Sequence, residues 1–216
     1  MPKRVLVVLS GCGFLDGSEI HEAVLTLLAL DRAGADVTCA APDQPQRDVV
    51  NHAEQKPAEE VRNVLIESAR IARGEIRALA AVRASEFDAI FLPGGFGAAK
   101  NLSSFAVDGQ RASVNADLAR LLREFRAANK PIGAVCISPA VVVAALREGE
   151  VTVGAAGGAA EAIDSMGGRH VVRAVTEIHV DEGRKIVTAP AYMCDAGIAD
   201  VSLGIERAVA AVLARA

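Results

Sequence analysis

Short runs of consecutive apolar residues, each emptying into a loop and each followed by a segment of helical periodicity, recur through almost the whole of this chain. Val5-Leu-Val-Val-Leu9 runs into Ser10-Gly-Cys-Gly-Phe-Leu-Asp-Gly17, and Asp36-Val-Thr-Cys-Ala-Ala41 stops at Pro42. Phe87-Asp-Ala-Ile-Phe-Leu92 runs into Pro93-Gly-Gly-Phe-Gly, and the run that opens on Pro131 reaches Cys136. Continuous apolar runs of this length read as strands buried on both faces, which is the mark of a parallel sheet. The intervening helices are read over Glu19 to Ala33, ended by Gly34 and capped by Ser18, over Glu59 to Arg73, and over Asn115 to Asn129. Others are read over Ala140 to Leu146, Glu161 to Met166 and Gly197 to Ala214. Alternation of this kind specifies an α/β doubly wound, mostly parallel sheet with helices on both faces and a ligand crevice at the carboxyl ends of the strands.

Three segments depart from the alternation. Asp43 to Pro57 is polar and reads as a surface insertion, with Val49-Val-Asn-His52 as a candidate edge strand. Ile76 to Leu79 and Val151 to Gly154 read as short strands. Val175 to Val180 and Lys185 to Thr188 read as a small β-hairpin over Asp181-Glu-Gly183.

At 216 residues the chain suits one domain, residues 1–216, with a full core. No apolar run approaches a membrane span, so no membrane partner is expected. The four cysteines lack CxxC spacing, which argues against structural zinc or a disulfide scaffold and favours a reducing, cytoplasmic setting. Net charge is -4 and no Lys/Arg stripe is present, so nucleic acid is not expected as a partner. There is neither a GxGxxG nor a Walker sequence. With one Tyr, six Phe and no Trp, the chain has few rings on which to stack a flavin. No cofactor and no metal are expected.

In such a sheet three strand-end loops converge on one crevice: Ser10 to Gly17, Pro93 to Lys100, and the turn carrying Cys136. The residues two before and two after Cys136, Ala134 and Ser138, are small, as a sharp strand-to-helix elbow requires. Cys136 reads equally as an elbow nucleophile, its thiolate favoured by N–H groups at the helix start, and as a small core residue at a strand end. Gly94-Gly95 leaves backbone N–H groups for an oxyanion, with the N–H of Ile137 as a second donor, or serves only as a tight turn. Glu19 and Glu22, flanking His21, are either partners of the helix dipole or, for one of them, a buried proton shuttle. Cys12, beside the presumed crevice, is either a resolving thiol or a pocket wall. Tyr192 either lines the pocket or is structural.

With these residues in hand, the chain resembles the ThiJ/PfpI superfamily, relatives of the class I glutamine amidotransferases, and within it the ElbB-type, isoprenoid-biosynthesis glyoxalase-like branch. The matching stretches are Leu9-Ser-Gly-Cys-Gly13, Asp16-Gly-Ser-Glu-Ile-His-Glu-Ala-Val-Leu25, Asn63-Val-Leu-Ile-Glu67, Arg73-Gly-Glu-Ile76, Pro93-Gly-Gly-Phe-Gly-Ala-Ala-Lys-Asn-Leu102 and Thr188-Ala-Pro-Ala-Tyr-Met193. They run from the first strand to the last loop. The resemblance implies a flavodoxin-like sandwich, Cys136 as nucleophile, and the conserved glutamate at Glu22, counted back from Arg32-Ala-Gly34, protonated and sharing a hydrogen bond with the sulfur. It also implies a homodimer and a small aldehyde substrate.

The activity associated with such relatives is glutathione-independent conversion of small 2-oxoaldehydes, glyoxal and methylglyoxal, to 2-hydroxy acids. A non-enzymatic redox or stress sensor, or a chaperone-like protein, is the alternative from another class. One departure stands out: many relatives place His directly after the nucleophile, where this chain has Ile137. The late His and acid of a glutamine-hydrolysing triad are also missing from Thr188-Ala-Pro-Ala-Tyr192, so a protease or amidase is disfavoured. His52 and His170 carry no assignment, and His179 reads as a solvated hairpin residue.

Overall fold

The computed structural model describes all 216 residues. Its strands are β1 (Arg4–Val8), β2 (Asp36–Ala41), β3 (Val50–Asn51), β4 (Lys56–Pro57), β5 (Ile76–Ala78), β6 (Ala89–Leu92), β7 (Ile132–Val135), β8 (Glu150–Val151), β9 (Arg169–His170), β10 (His179–Asp181) and β11 (Ile186–Ala189). Its helices are α1 (Ile20–Arg32), α2 (Val64–Ile71), α3 (Phe96–Lys100), α4 (Phe105–Asp108), α5 (Ala116–Ala127), α6 (Ser138–Leu146), α7 (Gly158–Ser165) and α8 (Ile198–Leu213).

Seven strands form the central sheet in the order β10-β11-β7-β6-β1-β2-β5. Every neighbouring pair is parallel except the edge pair β10 and β11. Alternate side chains of each strand point to opposite faces, so the apolar runs feed two cores. Leu6, Ile90, Leu92 and Ile132 pack with α5 and α6 on one side, where Leu121, Leu122, Phe125 and Val142 meet them. Val5, Val7, Phe91 and Val135 pack with α1 and α8 on the other, against Ala23, Leu30, Ile205 and Val209. This is the doubly wound, flavodoxin-like arrangement expected from the alternation of elements.

The order reverses at β1. The chain first builds outward through β2 to β5, then returns to the other side of β1 with β6, then β7. Loops leaving β1 and β6 therefore diverge to opposite faces and open a crevice between them. That crevice is laced shut at its base by backbone bonds from Phe96 N–H to Phe14 O and from Gly97 N–H to Gly17 O, both 2.8 Å.

Several sequence readings are corrected. Residues 50–51 pair with 56–57 as a separate two-stranded antiparallel sheet, so this segment is no edge of the central one. Nor is the insertion merely superficial. Asp16, buried in the loop after β1, accepts a hydrogen bond from Val50 N–H at 2.8 Å, and His52 Nε2 accepts from Leu15 N–H at 3.3 Å. Polar residues were read as surface because their partners, in a loop more than thirty positions earlier, leave no periodicity. Helix α2 starts at Val64 rather than Glu59, because Asn63 Oδ1 caps it by accepting from Ile66 N–H. For α1 the cap is Glu19, whose carboxylate accepts from Glu22 N–H at 2.7 Å; Ser18 Oγ instead accepts from Ser10 N–H at 2.8 Å. The hairpin is no appendage either, since β11 pairs with β7 inside the sheet. His179 is consequently buried against Arg173 and Glu150 and is not solvated.

Candidate active site

Cys136 follows β7 directly and sits at φ 61°. A left-handed conformation costs a residue with a Cβ on the order of 1–2 kcal/mol, so the surrounding contacts must impose it. They are identifiable. Cys136 N–H donates to Ala189 O at 3.0 Å from the neighbouring strand end, and Ser138 Oγ donates to Pro93 O at 2.7 Å. The elbow is thus tied to the last residue of β11 and to the loop after β6. Cys136 lines a cavity of about 450 Å³ together with Phe14, Glu19, Gly95, Phe96, Ile137, Tyr192 and Met193. The residue is only 8% exposed, yet it faces that cavity and is not sealed in the core.

Glu22, on the first turn of α1, has no solvent exposure. Its Oε2 accepts from Gly94 N–H at 2.9 Å and its Oε1 from Tyr192 N–H at 3.1 Å. It also shares a hydrogen bond with the Cys136 thiol. Burial dominates these bonds, and with Glu19 nearby it pushes the Glu22 carboxyl up to about 7. The Cys136 thiol is pushed well above its usual value by burial and by the Glu22 charge. The thiolate favoured by helix-start N–H groups is thus not the resting state: those groups, Gly95 N–H and Ile137 N–H, do point at the sulfur, but they are outweighed. Two groups this close titrate as one pair. Above about pH 7 the pair carries one negative charge and holds one proton between sulfur and carboxylate.

The two glycines have different duties. Gly94 cannot serve an oxyanion, because its N–H is committed to Glu22. A Cβ there would lie 2.3 Å from Cys136 Cβ and 2.6 Å from Glu22 Oε2, so only glycine lets the two side chains meet. Gly95, at φ 97°, keeps its N–H turned to the sulfur together with that of Ile137.

Tyr192 lies in a one-turn 3-10 segment, Ala191–Met193, after the φ 45° residue Ala191. While its backbone holds Glu22, its ring lines the cavity and its hydroxyl is 2.8 Å from His21 Nδ1. Glu19 lines the cavity as well as capping α1. Cys12 is not brought to the site; it lines another cleft, with Ile20, Val24 and Arg70 between α1 and α2.

Sequence reasoning missed Asn101, and read Ser138 only as a small elbow residue without its bond to Pro93 O. Buried Asn101 donates from Nδ2 to both Ser10 O and Asp16 O at 2.8 Å, fastening the β1 loop to α3. Its only sequence signal is a polar residue just after the short stretch Phe96-Gly-Ala-Ala-Lys100. A larger cleft of about 590 Å³, walled by Leu15, Arg47, Val50 and Lys100, lies across Phe96 from the site and holds no nucleophile. No group of His, Cys, Asp and Glu residues is arranged to hold a metal ion, and no helix is long and apolar enough to cross a membrane.

Comparison with known proteins agrees with the fold. The DJ-1/PfpI family pattern matches residues 3–190. The chain is 50% identical to the human glutamine amidotransferase-like class 1 domain-containing protein 3, mitochondrial, over 97% of its own length and 82% of that protein. It is also 50% identical to the rat ES1 protein homolog, mitochondrial, over 97% of this chain and 83% of that one. Among solved structures, an isoprenoid biosynthesis protein with an amidotransferase-like domain from Ehrlichia chaffeensis superposes with a TM-score of 0.93 at 42% identity, covering 99% of both chains.

Proposed function

The chain belongs to the DJ-1/PfpI family, and on that premise we propose that it is a cofactor-independent, glyoxalase-type lyase that converts 2-oxoaldehydes to 2-hydroxy acids at Cys136. The observation that carries this reading is the fully buried Glu22 carboxyl set against the Cys136 sulfur, to which the backbone N–H groups of Gly95 and Ile137 also bond. A thiol and a carboxylate that hold one proton between them supply a nucleophile and a base without a histidine, which is what Ile137 denies this chain.

As the sulfur adds to the aldehyde carbon C1, the thiol proton passes to Glu22, and the C1 oxygen takes its charge beside Gly95 and Ile137 N–H. Glu22 returns that proton to the C1 oxygen, giving a hemithioacetal. The regained carboxylate removes the C1 hydrogen and delivers it to C2, while the proton on the C1 oxygen passes to the C2 oxygen. A thioester of the 2-hydroxy acid results. Water then attacks C1, Glu22 takes its proton, and the sulfur leaves and recovers the proton from Glu22. No net oxidation occurs, and one water is consumed.

Tyr192 Oη is the one uncharged hydroxyl lining the cavity, and in this mechanism it holds the C2 oxygen. Burial and the charges of Glu19 and Glu22 push its phenol up, which keeps it a donor. The redox-sensor alternative starts from the same sulfur, and aldehyde turnover is what tells the two readings apart.

The test is turnover of methylglyoxal to lactate by the wild type and by Cys136→Ala, with circular dichroism to show an intact fold. Loss of all turnover in the variant is expected. Lactate formation at the wild-type rate by Cys136→Ala would end the proposal.

A further inference from the structure

The cavity above Cys136 is far larger than the smallest 2-oxoaldehydes need. A molecule of methylglyoxal displaces roughly two or three waters, each with a share of about 30 Å³ of liquid volume. The cavity holds about 450 Å³. The polar side chains that line it are those of Cys136, Glu19 and Tyr192.

Its remaining side-chain walls are apolar and partly wet. Phe14 is 43% exposed, Phe96 50% and Met193 37%, three of the large apolar side chains that this fold leaves in water, and all three line this one cavity with Ile137. Nothing in the fold needs them there, since none belongs to either core. They are nevertheless held in place. Phe96 opens α3 with its N–H bonded to Phe14 O at 2.8 Å, and Lys100 Nζ sits over the Phe96 ring, 5.4 Å from its centroid. Phe14 is braced edge-on by His52, with ring centroids 5.4 Å apart. Two braced aromatic side chains lining one cavity offer apolar surface to a ring-sized group.

We infer that the substrate carries a ring-sized apolar substituent on C2, which lies among Phe14, Phe96 and Met193 while the dicarbonyl end reaches Cys136 and Tyr192. This names the substrate class of the site and rests on the function proposed above. An aryl 2-oxoaldehyde, with phenylglyoxal as the simplest example, fits better than methylglyoxal. The preference comes from apolar surface leaving water on both partners and acts on kcat/KM.

Two measurements separate this inference from the reaction it rests on. The first needs no turnover: the rate at which Cys136 is alkylated by N-phenylmaleimide against N-methylmaleimide, each divided by its rate with glutathione and mapped to Cys136 by mass spectrometry. The expected advantage of the phenyl reagent is about tenfold or more, as for a hydrophobic pocket that gains a ring. It should fall toward unity in Phe96→Ala and in Met193→Ala, two side chains exposed enough to be cut back without unfolding the protein. The second is kcat/KM for phenylglyoxal against methylglyoxal, with the same expected ratio.

A phenyl advantage in alkylation without turnover of either aldehyde leaves the apolar lining standing and removes the glyoxalase reading. Turnover of both aldehydes at equal kcat/KM, with equal alkylation rates, keeps the reaction and overturns the inference. Alkylation of Cys136 that slows as protein concentration rises would show that a second copy of the chain covers these side chains, and that also overturns it.

Discussion

At the residue scale, the chemistry rests on a pair of groups, neither of which has its ordinary proton affinity. Below about pH 7 both Cys136 and Glu22 are protonated and no base is present; above it the pair has lost one proton and can run the cycle. The rate of Cys136 alkylation by iodoacetamide, and kcat/KM if the reaction is the one proposed, should therefore rise with pH through an apparent value near 7. In Glu22→Gln that step should vanish, and reactivity should appear only as the thiol itself ionises at higher pH. An unchanged titration in the variant would remove Glu22 from the pair. Tyr192→Phe bears on a separate point. It keeps the backbone N–H that holds Glu22 but deletes the hydroxyl beside His21, so alkylation should persist while kcat falls about tenfold or more, the cost of one lost transition-state donor. The residues alone left Cys136 even between an elbow nucleophile and a small core residue, and allowed Glu22 only as one of two candidates; the family resemblance singled out both. The sequence could not say that Glu19 spends its carboxylate on the helix cap, because that depends on which residue the helix starts from.

The elements position these residues through backbone, and this is where the sequence was least legible. Strand and helix existence follows from periodicity, and β1, β2, β6, β7 and α8 stand close to where their apolar patterns put them. The β10 and β11 pair was legible as a hairpin but not as the edge of the main sheet, since pairing with β7 is a contact across more than fifty residues. Gly94 read as an oxyanion donor, yet the loop after β6 turns its N–H to Glu22, and that direction is set by tertiary contacts. Two variants test this joint between elements. Gly94→Ala places a methyl 2.3 Å from Cys136 Cβ, so either the elbow or α1 must move, with a destabilisation of about 1–3 kcal/mol from overpacking and loss of the sharp Cys136 reactivity. Ser138→Ala removes the 2.7 Å bond to Pro93 O and leaves a buried carbonyl short of a donor, which costs about 1–3 kcal/mol in urea unfolding. If either variant matches the wild type in both stability and alkylation rate, the loop after β6 is not what sets the geometry of the site.

At the scale of the whole molecule, holding Glu22 in the interior makes the site a term in folding stability, with a sign opposite to that of most carboxylates. In the unfolded chain this carboxyl ionises near its ordinary 4.5, whereas in the fold it does so at about 7. Below the unfolded value both states hold the proton and burial costs nothing. Between the two values the unfolded state sheds a proton that the native state keeps, so the native state loses ground as pH rises, and above about 7 the loss is complete. The span corresponds to a penalty on the order of 3 kcal/mol. His170 and His179 act in reverse: burial lowers both, so the unfolded chain takes up protons below 6.5 that the fold refuses, and stability falls as pH falls. The two trends oppose one another between about pH 4.5 and 6.5, and the wild-type profile there should be shallow. Glu22→Gln removes only the first. Its absolute stability is no clean measure, because both carboxylate oxygens of Glu22 accept backbone N–H bonds and the amide nitrogen of Gln must face one of those donors. The pH dependence is free of that offset. Urea unfolding of both proteins from pH 4.5 to 8 should give curves whose separation changes by on the order of 3 kcal/mol in favour of the variant as pH rises. Parallel curves would mean that the Glu22 carboxyl titrates alike in the folded and unfolded chain, and the shared proton on which the chemistry depends would then have no thermodynamic footing.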